Sequence, residues 1–142
     1  MSKEKIYIFD TTLRDGAQTE GVNFSIDDKN KISKALSDLG IDYLEAGWPG
    51  ANTLDTTFFN KPPKLGKTKL TAFGMTKKSG RSAQNDPGLS AILNSNTPAV
   101  CLVGKSWDFH VNKALEISNE ENLENIKAVS YTHLTLPTIC SV

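Results

Sequence analysis

The chain of 142 residues has the length of one ordinary domain, and its 16 basic and 16 acidic residues cancel to a net charge of zero. That balance excludes an electrostatic binder of nucleic acid or of anionic membranes. A hydrophobic content of 38% is enough for a core, and no apolar run approaches the roughly 18 residues of a membrane span. The charged start Met1-Ser2-Lys3-Glu4-Lys5 lacks the apolar region of a signal peptide and predicts a cytoplasmic location. Cys101 and Cys140 are too few for a disulfide scaffold and lack metal-ligand spacing.

Residues 6–9 (Ile-Tyr-Ile-Phe) read as a short buried strand and the polar run 10–23 as a long loop. Ser25 is placed to cap a helix, with Asp28 three residues on forming a variant capping box. Ile32, Ala35, Leu36 and Leu39 then follow at i, i+3, i+4, i+7 spacing, and Gly40 stands where a C′ glycine ends such a helix. Residues 41–46 form a second strand, Gly47-Trp48-Pro49-Gly50 a turn, 53–60 a short helix and 70–73 a third strand before Gly74. A helix over 87–93 opens on proline, 99–103 form a fourth strand, and Ser118 with Glu121 caps a last helix bearing Leu123 and Ile126.

Composition breaks at residue 129, because every charged residue lies before Val129. The helical pattern is expected to stop there, and Ser130-Tyr-Thr-His-Leu134 resembles translated sequencing-adapter sequence. The expectation is that 129–142 are foreign to the fold. A genuine C-terminal strand is the alternative, since Thr, Leu, Ile and Val favour strands.

Four strand-helix units with continuous apolar strands describe a parallel α/β architecture. No Rossmann glycine fingerprint follows the first strand. A (β/α)₈ barrel fits, and a complete one typically takes about 250 residues. The expected fold is therefore a truncated (β/α)₈ TIM barrel, with residues 1–128 as its N-terminal half.

In such a barrel the residues just past the carboxyl ends of the strands line one mouth. Those positions hold Arg14, Asp15 and Gln18 after strand one, Glu45 at the end of strand two, Thr76 after strand three, and Lys105, Ser106, Asp108 and His110 after strand four. Asp15 can offer one hard oxygen ligand to a divalent cation, and Arg14 can bind a carboxylate or polarise a carbonyl. Glu45 is placed to pair with Arg14. One carboxylate is not a metal site, and further ligands must come from elsewhere. The plainer alternatives are a solvated Arg14–Asp15 salt bridge, a packing role for His110 and a buried hydrophobic role for Cys101. Gly104-Lys105-Ser106 imitates the end of a Walker A loop, but Ala99 stands where that loop needs its first glycine.

The run Asp10-Thr-Thr-Leu-Arg-Asp-Gly-Ala-Gln18 resembles the signature of the metal-dependent Claisen-condensing barrel enzymes, the isopropylmalate, homocitrate and citramalate synthase family. In that signature Leu-Arg-Asp-Gly-x-Gln is followed, after a ten-residue spacer, by a Lys, here Lys29. Tyr43-Leu-Glu-Ala-Gly-Trp-Pro-Gly50, Ala72-Phe-Gly74 and Gly104-Lys-Ser-Trp-Asp-Phe-His-Val111 are similar to the citramalate branch, and Val100-Cys-Leu-Val103 lacks the fourth-strand His common in the other branches. The resemblance implies an acyltransferase acting on pyruvate and acetyl-CoA with a divalent cation (Mg, Mn or Zn), and a homodimer at full length. It implies that Asp15 is a metal ligand and that Arg14 is catalytic and faces the keto acid with Glu45 as its support; Gln18, Thr76, Lys105 and His110 are expected near the substrate from their neighbourhood at the mouth alone. The family's His-x-His metal ligands have no counterpart in these 142 residues. A non-catalytic α/β binding module that keeps the motif is the alternative of another class.

Overall fold

The computed structural model of the protein describes residues 4–132 and 138–139. Five parallel strands, β1 (Phe9–Asp10), β2 (Tyr43–Gly47), β3 (Lys69–Met75), β4 (Ala99–Val103) and β5 (Thr138–Ile139), lie side by side in chain order. Helices α1 (Ile26–Leu39), α2 (Thr53–Asn60) and α3 (Pro87–Asn94) fill the first three connections. The fourth holds a helical turn α4 (Asp108–His110), a π-helical turn (Val111–Leu115) and α5 (Asn119–Thr132). Each strand pairs with its successor and none is skipped, the order of consecutive β/α units in a barrel wall rather than of a doubly wound sheet.

Side chains alternate across a strand, so each strand has one face toward the helices and one away. Leu44, Ala46, Leu70, Ala72, Val100 and Leu102 form the helix-facing set and are buried against Phe58 and Phe59 of α2, Leu89 and Ile92 of α3, and Val129 of α5. Ile32 and Leu36 of α1 cover the same layer. Gly74 and Gly104 let the helices approach closely: a Cβ on Gly74 would overlap Ile92 Cδ1, and one on Gly104 would come within 2.8 Å of Ile126 Cδ1. The opposite, inner face carries Tyr43, Glu45, Thr71 and Phe73.

The helix ends follow from local chemistry. Ser25 accepts the Asp28 N–H at 3.1 Å while the Asp28 carboxylate accepts the Ser25 N–H at 2.9 Å, and Gly40 closes α1 in the left-handed region at φ 92°. Asn52 caps α2 through the Asp55 N–H. Asp86 caps α3 by accepting from Gly88 at 2.9 Å and Leu89 at 3.1 Å, and also takes the Lys78 N–H at 2.9 Å.

Two expectations need correction. The first strand is Phe9–Asp10, not 6–9, and Ile6, Tyr7 and Ile8 are exposed. The strand is paired only to β2 among the described residues, at Phe9↔Tyr43 and Asp10↔Leu44, so apolar sequence there does not imply burial. The last helix does not stop at 128: α5 runs to Thr132, and Val129 is 3% exposed within the core. Of the segment 129–142, residues 133–137 and 140–142 lie outside the described residues.

β2 and β3 fall out of step at one point. Glu45 pairs with Thr71, but Gly47 rather than Ala46 pairs with Ala72, an extra residue on β2.

Gly74→Ala should destabilise the chain by about 1–3 kcal/mol through overpacking against Ile92, and adding Ile92→Val, which removes the overlapping methyl, should recover part of that loss in urea denaturation. Burial of the Asp86 carboxyl acts to raise its pKa, but the N–H groups of Lys78, Leu89 and Gly88 outweigh it and hold the group below its ordinary value. A depressed carboxyl contributes stability that is fully present above the unfolded pKa, about 3.9, and is lost as pH falls through the lower folded value. The urea midpoints of wild type and Asp86→Asn should therefore differ by a constant amount above about pH 5 and converge as the pH is taken below about 4.

Candidate functional site

The loop after β1 is wound tightly around one carbonyl. The N–H groups of Arg14, Asp15 and Gly16 all donate to Thr11 O, at 3.1, 2.8 and 3.2 Å, and Asp10 Oδ1 accepts the Thr12 N–H at 3.0 Å. This winding buries Leu13 in the core and turns the next side chain, Arg14, over the carboxyl end of the sheet. There its Nε donates to Glu45 Oε1 at 2.5 Å and its Nη1 to Asp15 Oδ1 at 3.0 Å. The guanidinium carbon lies 4.2 Å from the centre of the Phe73 ring, so the cation rests on the ring's negative face.

Burial is graded across this group. The Glu45 side chain is 0% exposed, that of Arg14 20% and that of Asp15 62%. A carboxylate that deep needs a cation, and Arg14 supplies one from the adjoining strand end. Glu45 Oε2 has no hydrogen-bond partner among the described residues. Asp15 contributes little to holding the fold, because its ion pair with Arg14 is solvated.

Gln18 lies beside this group, lining with Leu13, Arg14 and Trp48 a cavity of about 360 Å³. Thr76 lines, with Trp48, a larger cleft of about 680 Å³ between the ends of β2 and β3 and the start of α5. Trp48 and Ala51 line both. The cleft carries Lys77, Lys78 and Arg81 at its rim, and Lys77 Nζ donates to Asn125 Oδ1. Lys105, half-buried, presents its carbonyl to Asn122 Nδ2 at 2.8 Å. His110 lines neither cavity: it is exposed, with its ring 4.5 Å from that of Trp107. Ser106 and Asp108 are exposed too.

Of the residues singled out in the sequence, the fold thus brings Arg14, Asp15 and Glu45 together, with Gln18 lining the cavity that Arg14 borders and Thr76 the larger cleft. Phe73 and Trp48 were not assigned a role from the sequence. Phe73 shares the inner face of β3 with Thr71, two residues before it, and that alternation, with its place in the run Ala72-Phe-Gly74, is the signal that marks it. Among the described residues, no three His, Cys, Asp or Glu side chains converge as a metal site. Asp15 is exposed and able to give one oxygen ligand, so it fits a divalent cation only as part of a set completed by groups outside these.

A guanidinium held in plane by a buried carboxylate, with a second carboxylate beside it at the carboxyl mouth of consecutive parallel β/α units, can bind and polarise an anionic, oxygen-bearing group. The chain belongs to the HMGL-like family, whose sequence profile matches residues 5–133. It is 50% identical over 125 residues to the (R)-citramalate synthase of Aquifex aeolicus, an alignment covering 87% of this chain and 24% of that protein. Against a 2-isopropylmalate synthase of Staphylococcus epidermidis it is 36% identical over 130 residues, covering 91% of this chain and 25% of that one. The chain thus spans about a quarter of the length of these curated relatives. The fold matches that of the HMG-CoA lyase of Bacillus subtilis with a TM-score of 0.72 at 20% identity, over 97% of this chain and 46% of that chain.

Replacing Glu45 by Leu should lower stability by about 2 kcal/mol, below the usual cost of breaking a buried pair because Arg14 keeps Asp15, Phe73 and some solvent. The double variant Glu45→Leu with Arg14→Met should recover most of the loss, since no unpaired charge remains. Urea denaturation of the two variants beside the wild type would show it, and an equally destabilised double variant would mean that the pair is not what the site depends on.

Proposed function

We propose that the protein carrying this chain is an (R)-citramalate synthase, condensing acetyl-CoA with pyruvate. The observation that carries this reading is the Arg14 guanidinium, held by Glu45 and Phe73 at the carboxyl end of the sheet, together with the greater identity to the citramalate than to the isopropylmalate relative.

In this reaction a base removes a proton from the acetyl methyl group, and the resulting enolate carbon attacks C2 of pyruvate. The C2 carbonyl oxygen takes up negative charge and then a proton, and water cleaves the thioester to release CoA and a carboxylate. Arg14 has Nε committed to Glu45 and one Nη1 contact to Asp15, which leaves its other N–H groups to donate to the oxo-acid carboxylate or to the developing oxyanion. Glu45 fixes the plane of those donors, so no reorganisation is needed as charge develops. A divalent cation, Mg, Mn or Zn, with Asp15 as its ligand from this chain, supplies Lewis acidity at the oxo acid when bound. Gln18 borders the same cavity and is placed to contact the oxo acid. Thr76 borders the larger cleft, which has room for the acyl thioester. The exposed His110 is the weakest of the substrate-binding assignments.

The test is a polypeptide of the relatives' full length, made by extending the native reading frame, with released CoA thiol followed spectroscopically. Metal-dependent release with pyruvate is expected, and Arg14→Ala should lower kcat by about 10²–10³, the loss typical of an oxyanion donor. Release with 2-oxoisovalerate but not pyruvate would reassign the protein to 2-isopropylmalate synthesis. No release with any 2-oxo acid would favour a binding module.

A further inference from the structure

A second ionic pair lies under the mouth. Lys29 of α1 is 1% exposed, and its ammonium donates to the carboxylate of Asp55 in α2 and to the carbonyl of Ala46 at 2.7 Å. The other carboxylate oxygen of Asp55 accepts the Trp48 N–H at 2.9 Å and the Asn52 side-chain amide at 3.1 Å. A Cβ on Gly47 would fall 2.5–2.7 Å from that carboxylate, and Gly47 has φ +151°, so the residue between Ala46 and Trp48 must be glycine for the carboxylate to sit where it does. One lysine and one aspartate therefore fix three successive residues at the end of β2.

Those residues carry both supports of Arg14. Glu45, which holds the guanidinium edge, directly precedes Ala46. Trp48 packs edge-on against Phe73, ring centres 5.3 Å apart at 79°, and Phe73 is the ring on which the guanidinium lies. Lys29 and Asp55 also line the cavity next to Arg14. A buried pair of this kind adds little net stability over apolar replacements of the same shape, so a role in fixing geometry is what its burial calls for.

We propose that Lys29 and Asp55 are positioning residues for Arg14: by clamping the Ala46–Gly47–Trp48 backbone they set Glu45 at its edge and Trp48–Phe73 beneath its face. The proposal rests on the reading of Arg14 given above only for its kinetic consequence. Its structural content stands apart from that reading.

The test uses Asp55→Asn, which keeps the shape and one acceptor, and Asp55→Ala, which keeps neither. In the 142-residue chain, the exchange rate of the Arg14 Nε–H is read by ¹⁵N NMR and assigned by its loss in Arg14→Lys. Exchange should quicken by about tenfold or more in Asp55→Ala and by less in Asp55→Asn, with amides of β3 and β4 still protected. In the full-length polypeptide kcat should fall by about tenfold or more in the same order, with KM for acetyl-CoA within about twofold, as expected for a misplaced group rather than a lost binding contact. An Arg14 signal that exchanges at the wild-type rate in a variant whose Trp48 amide resonance has moved would overturn the proposal and leave the pair a packing device. Should Asp55→Ala not fold, Asp55→Asn decides alone by the same criterion. If the wild-type polypeptide condenses nothing, the functional reading fails while the exchange measurement still decides this one.

Discussion

Two ionic pairs flank the last residues of β2, Arg14–Glu45 on the inner face and Lys29–Asp55 toward the helices, and the positions of the groups at the mouth follow from them. A carboxylate with no solvent exposure and an ammonium almost as deep are tolerated only when each is met by a partner in fixed geometry. Here the partners come from four different elements: the loop after β1, β2, α1 and α2. Setting these charges therefore sets the relation of those elements to one another, and the guanidinium stands where they meet.

That dependence also explains which features could be read from the amino-acid sequence. The capping box at Ser25, the glycine at 40, the proline at 87 and the continuous apolar run 99–103 act over a few residues, so the elements they mark have the expected bounds or nearly so. Residues 6–8 are as apolar as those of β4 but are exposed, because burial of a strand is decided by what lies on both sides of it, and the sequence of a strand does not carry that. The same holds for 129–132, where the loss of charge looks like an ending while the helix continues and Val129 finds a place in the core. In the site, Arg14, Asp15 and Glu45 were legible from their places at the carboxyl ends of the first two strands, although Lys105 and Asp108, placed likewise after the fourth, do not join them. Phe73, Trp48 and Asp55 were not, since an aromatic in a strand or an aspartate in a helix has many, and only the tertiary arrangement selects among them.

Two spaces open at the mouth, and they share part of their walls. Trp48 stands between the small cavity beside Arg14 and the larger, basic-rimmed cleft beyond. The first is bordered by the charged side chains of Arg14, Lys29 and Asp55. The second is bordered by Lys77, Lys78 and Arg81, and Ala51 joins Trp48 in lining both.

The extra residue in β2 has a consequence of parity. Side chains along a strand alternate strictly, so whatever follows an inserted residue changes face. Counted from Glu45 without the irregularity, Trp48 would fall on the side of the helices, three positions along from a residue that faces inward. With Gly47 rather than Ala46 opposite Ala72, the count is reset and the indole meets Phe73 on the inner side instead. A single unpaired residue thus lets one short strand give a carboxylate and an indole to the same side, which an unbroken ladder of that length could not do from positions an odd number apart.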